Sequence, residues 1–402
     1  MKRRTGVLLR TNRRDFILGA VAAGLSGGCL TGDGIPLRRD YSVPVLGDTH
    51  FDTEPAAVYH SRFIADYAKA GLHPGKFREH RRNGLMWKGP CREIVRASAE
   101  AVRDDAAFVL HLGDLVQGDC RDAATHRRML EDAFAYFRGS YPQHLPFVTV
   151  CGNHDIRDPE TDAAERAYAS YMPARMRDEL GCRAAEPVDG TDFVFRQGPD
   201  LYFVFDFNDT KEAKVRESEV SRLRYLRQKR LLEAHRAERY TFVVVHGGVF
   251  PLDKPGDFRW FYLGDPRLTA ERREMTRLLA ARNAIVLCGH QHVLSLKDAV
   301  FPEGCLTELT MNTVFFGRDL QENPAVPEVV YDDPAAFGSL SGENQWWKGA
   351  DARLHDEYRP YLRRCYHAQG VGHGVLRVSD AGVTFAYCGH DARTPTETFV
   401  LR

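Results

Sequence analysis

Short apolar runs alternate with longer segments of helical periodicity between Tyr41 and Met311. The runs at residues 43–46, 108–112, 147–150, 242–245 and 285–288 are too short for helices and rich in β-branched and aromatic residues, so each predicts a buried strand. Residues 201–205 predict another, and 306–316 one or two more. Helices are predicted over 92–105, 122–137, 217–236 and 269–282. In the third of these, Val220, Leu223, Leu226, Leu231 and Leu232 mark an apolar stripe, with arginines on a solvated face. This alternation predicts a layered α/β domain rather than an all-β sandwich. Near the end, residues 374–377 and 383–387 flank Ser379-Asp380-Ala381-Gly382 and predict a β-hairpin that closes a sheet edge.

Two long irregular excursions interrupt the pattern. Residues 51–90 form an insertion with a basic run that includes Arg81 and Arg82. Residues 317–369 carry Pro324, Pro327, Pro334 and the pair Trp346-Trp347, the composition of an ordered but irregular cover. Long insertions at strand ends are commonly lids or binding loops. The expected organisation is a catalytic domain over 41–316 with insertion 51–90, then 317–402 as cover and hairpin packed on the same domain.

The chain has 402 residues, enough to bury a large core, and 55 basic residues balance 55 acidic ones. Zero net charge gives no bulk signal for nucleic acid or an anionic membrane. The first thirty residues read as an export signal: Arg13-Arg14 precedes a glycine-rich apolar stretch well short of the ~20 residues that span a bilayer. The arginine pair resembles a twin-arginine signal. Leu25-Ser26-Gly27-Gly28-Cys29 resembles a lipoprotein box, so acylation at Cys29 and ordinary cleavage are the two alternatives. The expected location is outside the cytoplasm, periplasmic or held by a lipid anchor. The other eight cysteines form no CxxC pair; one or two disulfides are compatible with them, with Cys151 and Cys288 read as buried free thiols.

Each of the five predicted strands is followed by residues with metal-ligand chemistry. These are Asp48-Thr49-His50, Gly113-Asp114, Gly152-Asn153-His154-Asp155, His246-Gly247 and Gly289-His290-Gln291-His292. Loops beyond the carboxyl ends of strands share one crevice in open α/β sheets, so the five clusters are expected to converge. Asp48 with His50, and His290 with His292, sit two apart; on an extended segment each pair turns to one side. Asp114 and Asn153 add oxygen ligands, and His246 an imidazole. Such ligands suit Zn, Mn or Fe, and the lack of thiolates argues against structural zinc. Two ions about 3.5–4 Å apart need an anionic bridge, a role that suits a carboxylate. Taken singly, Asp114 or Gly152-Asn153 is an ordinary turn and His246 an ordinary core histidine. All five clusters in order, each at a strand end, are not.

The ordered series D-x-H, G-D, G-N-H-D, H-G and G-H-x-H resembles the calcineurin-like metallophosphoesterase superfamily over roughly residues 41–311. The resemblance implies a layered αββα sandwich, two mixed sheets flanked by helices. It further implies that Asp48, His50 and His292 bind one metal ion and Asn153, His246 and His290 a second, with Asp114 bridging. The ions would be divalent or trivalent Mn, Fe or Zn, and the reaction the hydrolysis of phosphate esters by a metal-bridging hydroxide. His154 would donate a proton or hydrogen bond to the leaving oxygen, with Asp155 orienting the imidazole and favouring its charged form. The purple acid phosphatase branch has a tyrosine ligand where this chain has Gln117, which argues against a tyrosinate ferric site. Arg81 and Arg82 are candidates for contacting substrate phosphate, because arginine presents a planar fork to phosphate oxygens. Other function classes are an exported nuclease or phosphodiesterase, which should show a basic groove, and a non-catalytic metal-stabilised binding protein, which has no need of His154 and Asp155. His111, His126, His144, His367, His373 and His390 match no motif and read as structural or exposed.

Overall fold

The computed structural model describes residues 38–53, 84, 86–157, 162–208, 217–250, 268–313, 329–331, 357–368 and 370–402. The expected export signal with Cys29, the candidates Arg81 and Arg82, and most of both excursions lie outside the described residues.

Strands β1 (Tyr41–Leu46), β2 (Val109–His111) and β3 (Phe147–Thr149) run parallel, with Leu46, His111 and Thr149 in register at their carboxyl ends. The second sheet starts with β4 (Phe193–Gln197), β5 (Asp200–Phe205), β6 (Thr241–Val245) and β7 (Ile285–Cys288), then β8 (Leu294–Phe301) and β9 (Gly304–Thr310). It is completed by β10 (Val329–Tyr331) and β11 (Leu362–Ala368), giving eight strands in the order β10-β11-β8-β9-β7-β6-β5-β4. The chain then returns to the first sheet as β12 (Gly372–Ser379), β13 (Gly382–Gly389) and β14 (Glu397–Val400). That sheet has six strands, ordered β14-β13-β12-β1-β2-β3. Both sheets are mixed: in the six-stranded sheet the parallel strands β1, β2 and β3 form one edge and the rest pair antiparallel, while in the eight-stranded sheet the parallel pairs lie inside and antiparallel ones outside. The expected hairpin exists, but it does not form the edge: β12 pairs directly with β1 and β14 lies outermost.

Helices α1 (Pro90–Glu100), α2 (Ala123–Ser140), α3 (Ala163–Leu180), α4 (Glu217–Ala234) and α5 (Thr269–Ala280) flank the sheets. Strands β5, β6 and β7 of the second sheet read as nearly unbroken apolar runs because both of their faces are covered. Successive side chains alternate in direction. Tyr202, Val204, Phe242, Val244, Ile285 and Leu287 join the core that also holds Val43, Val45 and Leu110 of the first sheet. Leu201, Phe203, Phe205, Val243, Val245 and Val286 join a second core with Tyr225, Leu231 and Leu232 of α4 and Met275 and Leu279 of α5.

The expected apolar stripe of α4 is wrong over its first half. Leu223 and Leu226 are 66% and 50% exposed, while Tyr225 and Gln228 are buried. Two buried carboxylates behind the helix explain this rotation. Arg224 pairs with Asp206 at 2.5 Å, and the Gln228 amide donates to Asp192 at 2.9 Å and to the Asp206 carbonyl at 2.8 Å. Burying the two carboxylates without such partners would cost more than exposing two leucines. The eight described cysteines are free thiols, with Cys151 and Cys288 buried. Among the described residues no helix is long and apolar enough to cross a membrane.

Candidate metal centre

The five clusters meet where β1, β2 and β3 of one sheet and β6 and β7 of the other end. Asp48, His50, Asp114 and His292 offer ligand atoms within 4.8 Å of one another, and Asp114, His246 and His290 do the same. Asp114 belongs to both groups. Its Oδ2 lies 3.5 Å from His50 Nε2 and 3.2 Å from His246 Nε2, while its Oδ1 accepts the His154 backbone N–H at 2.8 Å. Asp48 Oδ1 lies 3.5 Å from His292 Nε2 and 3.8 Å from His246 Nε2.

The backbone that presents these groups differs from the extended segments expected. Asp48, His50, Asp114, His290 and His292 have φ of 49°, 44°, 52°, 66° and 54°. Non-glycine residues in the left-handed region carry strain, which persists only where the surroundings hold it. A lattice of hydrogen bonds does so here. Asp48 and His50 donate backbone N–H groups to the carbonyls of Gly113 and Asp114 at 3.0 and 2.9 Å, and the His290 N–H donates to the Asp48 carboxylate. Gly47 exchanges bonds with Thr313, giving its N–H to Oγ1 and receiving the Thr313 N–H at its carbonyl. Gly152 must be glycine, since a Cβ there would lie 2.1 Å from the Asp114 nitrogen.

His246 shows how the centre is aimed. Its Nδ1 donates to the Leu112 carbonyl at 2.7 Å, which leaves Nε2 to face Asp114. Burial opposes charge on this imidazole, yet Asp114 and Asp48 push it up to about 9. Against its own burial, Asp114 is held well below the usual carboxylate range by His246, His154 and His50. Such a buried set of carboxylates facing imidazole nitrogens calls for positive charge. The Asn153 side-chain oxygen adds a ligand position, for it is buried with no hydrogen-bond donor among the described residues. The donor set therefore fits divalent metal ions of the nitrogen- and oxygen-loving kind.

His154 and Asp155 are not the coupled pair expected. The His154 ring donates through Nδ1 to the Gln117 carbonyl at 2.8 Å, and Arg157 meets its Nε2 at 2.8 Å. Burial, and then Arg157, hold this imidazole well below the ordinary histidine range. Asp155 spends its carboxylate on backbone, accepting from Gly152 at 2.8 Å and Val116 at 3.0 Å, because the tight turn at Gly152 leaves those N–H groups in need of acceptors. Burial, then Asp114, push Asp155 up to about 8.

Other residues support the centre without any motif. His111 bonds Thr49 and Thr149 through its two nitrogens, and His126 bonds the Asp155 carbonyl. The Trp87 indole donates to the carbonyls of Thr49 and His50. Phe207, in the loop after β5, meets the His246 ring at a tilt and the His290 ring edge-on, with centroids 5.3 and 5.4 Å apart. Glu308, paired with Lys297 at 3.0 Å, accepts the N–H groups of Val249 and Phe250 in the turn after His246. The signal for Arg157 was its place three residues beyond His154; Trp87 and Glu308 gave none, since their contacts are distant in sequence.

No curated protein matches the sequence. Solved structures match weakly. GAP50, the anchor in the inner membrane complex of Plasmodium, is 10% identical with a TM-score of 0.43, covering 91% of this chain and 89% of that one. A purple acid phosphatase from yellow lupin seeds is 10% identical at a TM-score of 0.47, covering 90% of this chain and 53% of its own. PhoD is 10% identical at 0.49, covering 90% and 68%. The family signature described as Calcineurin-like phosphoesterase matches residues 42–294, more than half of the sequence and all five clusters. The chain belongs to the calcineurin-like phosphoesterase family.

Proposed function

We propose that the chain hydrolyses phosphate esters at a centre for two divalent metal ions. Asp48, His50 and His292 would hold one, Asn153, His246 and His290 the other, and Asp114 both. The observation that carries this reading is the Asp114 carboxylate, whose Oδ2 lies 3.5 Å from His50 and 3.2 Å from His246, in both ligand groups at once. When bound, two such ions polarise phosphoryl oxygens and acidify water for in-line displacement. The nitrogen and oxygen donors suit Mn, Fe or Zn.

The chain's own residues then divide the remaining work. His246, fixed by Leu112, aims Nε2 at Asp114. His154, anchored by Gln117 through Nδ1, is assigned to the leaving oxygen through Nε2, which has to take up a proton from solvent before it can donate one there. Asp155 keeps Gly152 and Val116 in place, so that Asn153 and His154 keep their aim. The N-terminal Arg13-Arg14 and Cys29 support an exported enzyme, by their sequence alone. Cell fractionation and the mass of the mature N-terminus test that part.

The experiment for the catalytic part compares wild type with His154→Ala for metal content and turnover of simple phosphate esters. The proposal expects retained metal with a rate loss of roughly 10²–10⁴. Metal retained with the rate unchanged would remove His154 from the chemistry, and no wild-type turnover across mono- and diesters would favour a metal-stabilised binding protein instead.

A further inference from the structure

Arg157 follows His154 by three residues and folds back on it. One Nη donates to His154 Nε2 at 2.8 Å, and the other pairs with Asp119. Asp119 is buried at φ 58°, directly after Gly118 at φ 69°, and its N–H donates to the Arg157 carbonyl at 2.9 Å. A Cβ on Gly118 would lie 2.2 Å from the His154 carbonyl oxygen, so the two segments press together with no side chain between them. The arginine is thus tied by backbone and by carboxylate, yet its side chain is 27% exposed while Asp48, His50, Asp114 and His246 are buried. It stands at the rim of the centre, above a His154 ring that meets His50 edge-on at 4.3 Å.

His154 donates its Nδ1–H to the Gln117 carbonyl, so its Nε2 accepts the Arg157 bond. In this arrangement the guanidinium occupies the direction from which a leaving oxygen would reach Nε2. An anionic phosphoryl oxygen is a far better partner for guanidinium than a neutral imidazole is, because charge-assisted bonds are shorter and stronger. We propose that Arg157 binds the charged non-bridging oxygen that the metal cluster leaves over, and so sets the site for phosphate monoesters. This rests on the phosphoesterase reading. A monoester brings three non-bridging oxygens and a diester two. Two cations held at Asp114 would take up two; the third oxygen of a monoester, which is charged, would then meet Arg157, whereas a diester would put an uncharged ester group there. The same exchange moves the guanidinium off His154 and frees Nε2 to take up from solvent the proton that the leaving oxygen then receives.

The test titrates inorganic phosphate into metal-loaded wild type, Arg157→Ala and Arg157→Lys by calorimetry. Alongside it, kcat/KM is measured for p-nitrophenyl phosphate and bis(p-nitrophenyl) phosphate. Arg157→Ala should weaken phosphate binding roughly 10- to 100-fold. It should lower the monoester-to-diester ratio of kcat/KM, chiefly through KM for the monoester, with metal content intact. Arg157→Lys keeps the charge without the fork and should fall between, and it carries the test if the alanine variant does not fold. Phosphate affinity and the ratio both equal to wild type would overturn the proposal. If wild type hydrolyses neither ester, the hydrolytic reading fails, while the calorimetric comparison still decides whether Arg157 binds the anion.

Discussion

The Asp155 carboxylate accepts the backbone N–H of Gly152 at 2.8 Å, and this bond fixes the turn that presents Asn153 and His154. With its other oxygen on Val116, the side chain links the loops after β3 and β2. Asp155→Asn puts an amide donor against one of these N–H groups. The expected result is a loss of about 1–3 kcal/mol of stability, with metal content falling as turnover falls. Thermal melting with metal analysis checks it. An unchanged melting temperature with only the rate lost would return Asp155 to the chemistry.

Gly152→Ala examines the same turn by sterics. The new Cβ would lie 2.1 Å from the Asp114 nitrogen and 2.2 Å from Asp114 Oδ1. The backbone must shift, at a cost on the order of 1–3 kcal/mol, and Asp114 must move with it. Denaturant unfolding should show the loss, and metal analysis a reduced stoichiometry.

Trp87→Phe keeps most of the buried ring and removes the indole N–H, whose bonds to Thr49 and His50 are 3.0 and 2.9 Å. The backbone around His50 should loosen, with stability lower by about 1–3 kcal/mol and metal affinity reduced. A chelator competition titration reads the second effect.

These support residues separate what the sequence makes legible from what it does not. The strands and their terminal ligands are local features: an apolar run buried on both faces, then Asp, Asn or His. Helix α3 is harder to read because Pro173 stands inside it, and the buried face of α4 is hidden from the sequence because the partners of Arg224 and Gln228, Asp206 and Asp192, come from another part of the chain. The left-handed backbone at Asp48, His50, Asp114, His290 and His292 is not fixed by residue type, since aspartate and histidine adopt extended backbone as well and the hydrogen bonds between loops from several strands decide between the two. Asp155 beside His154 suggested a dyad, but the backbone of Gly152 and Val116 claims its oxygens.

Stability should also depend on pH through Asp192, which burial pushes up to about 6. Its folded value lies above the ordinary carboxyl value of 3.8. Between the two, the folded state keeps a proton that the unfolded state releases, so stability falls as pH rises from about 4 to 6 and stays lower above. In the structure Asp192 Oδ1 takes both the Asp206 N–H and the Gln228 amide. Asparagine can accept the same two bonds. Asp192→Asn should therefore flatten this part of the profile, with its melting temperature gaining on wild type as pH rises from 4 to 6.

The central claim is that Asp114 joins two metal sites into one catalytic centre. It is tested most directly by loading metal-free chain stepwise with Mn, Fe or Zn while following bound metal and phosphate-ester turnover together. Turnover should rise with the second ion per chain, and Asp114→Ala should bind neither ion tightly and show no turnover. Full turnover with no more than one ion bound, or none with both sites filled across mono- and diesters, would contradict the account.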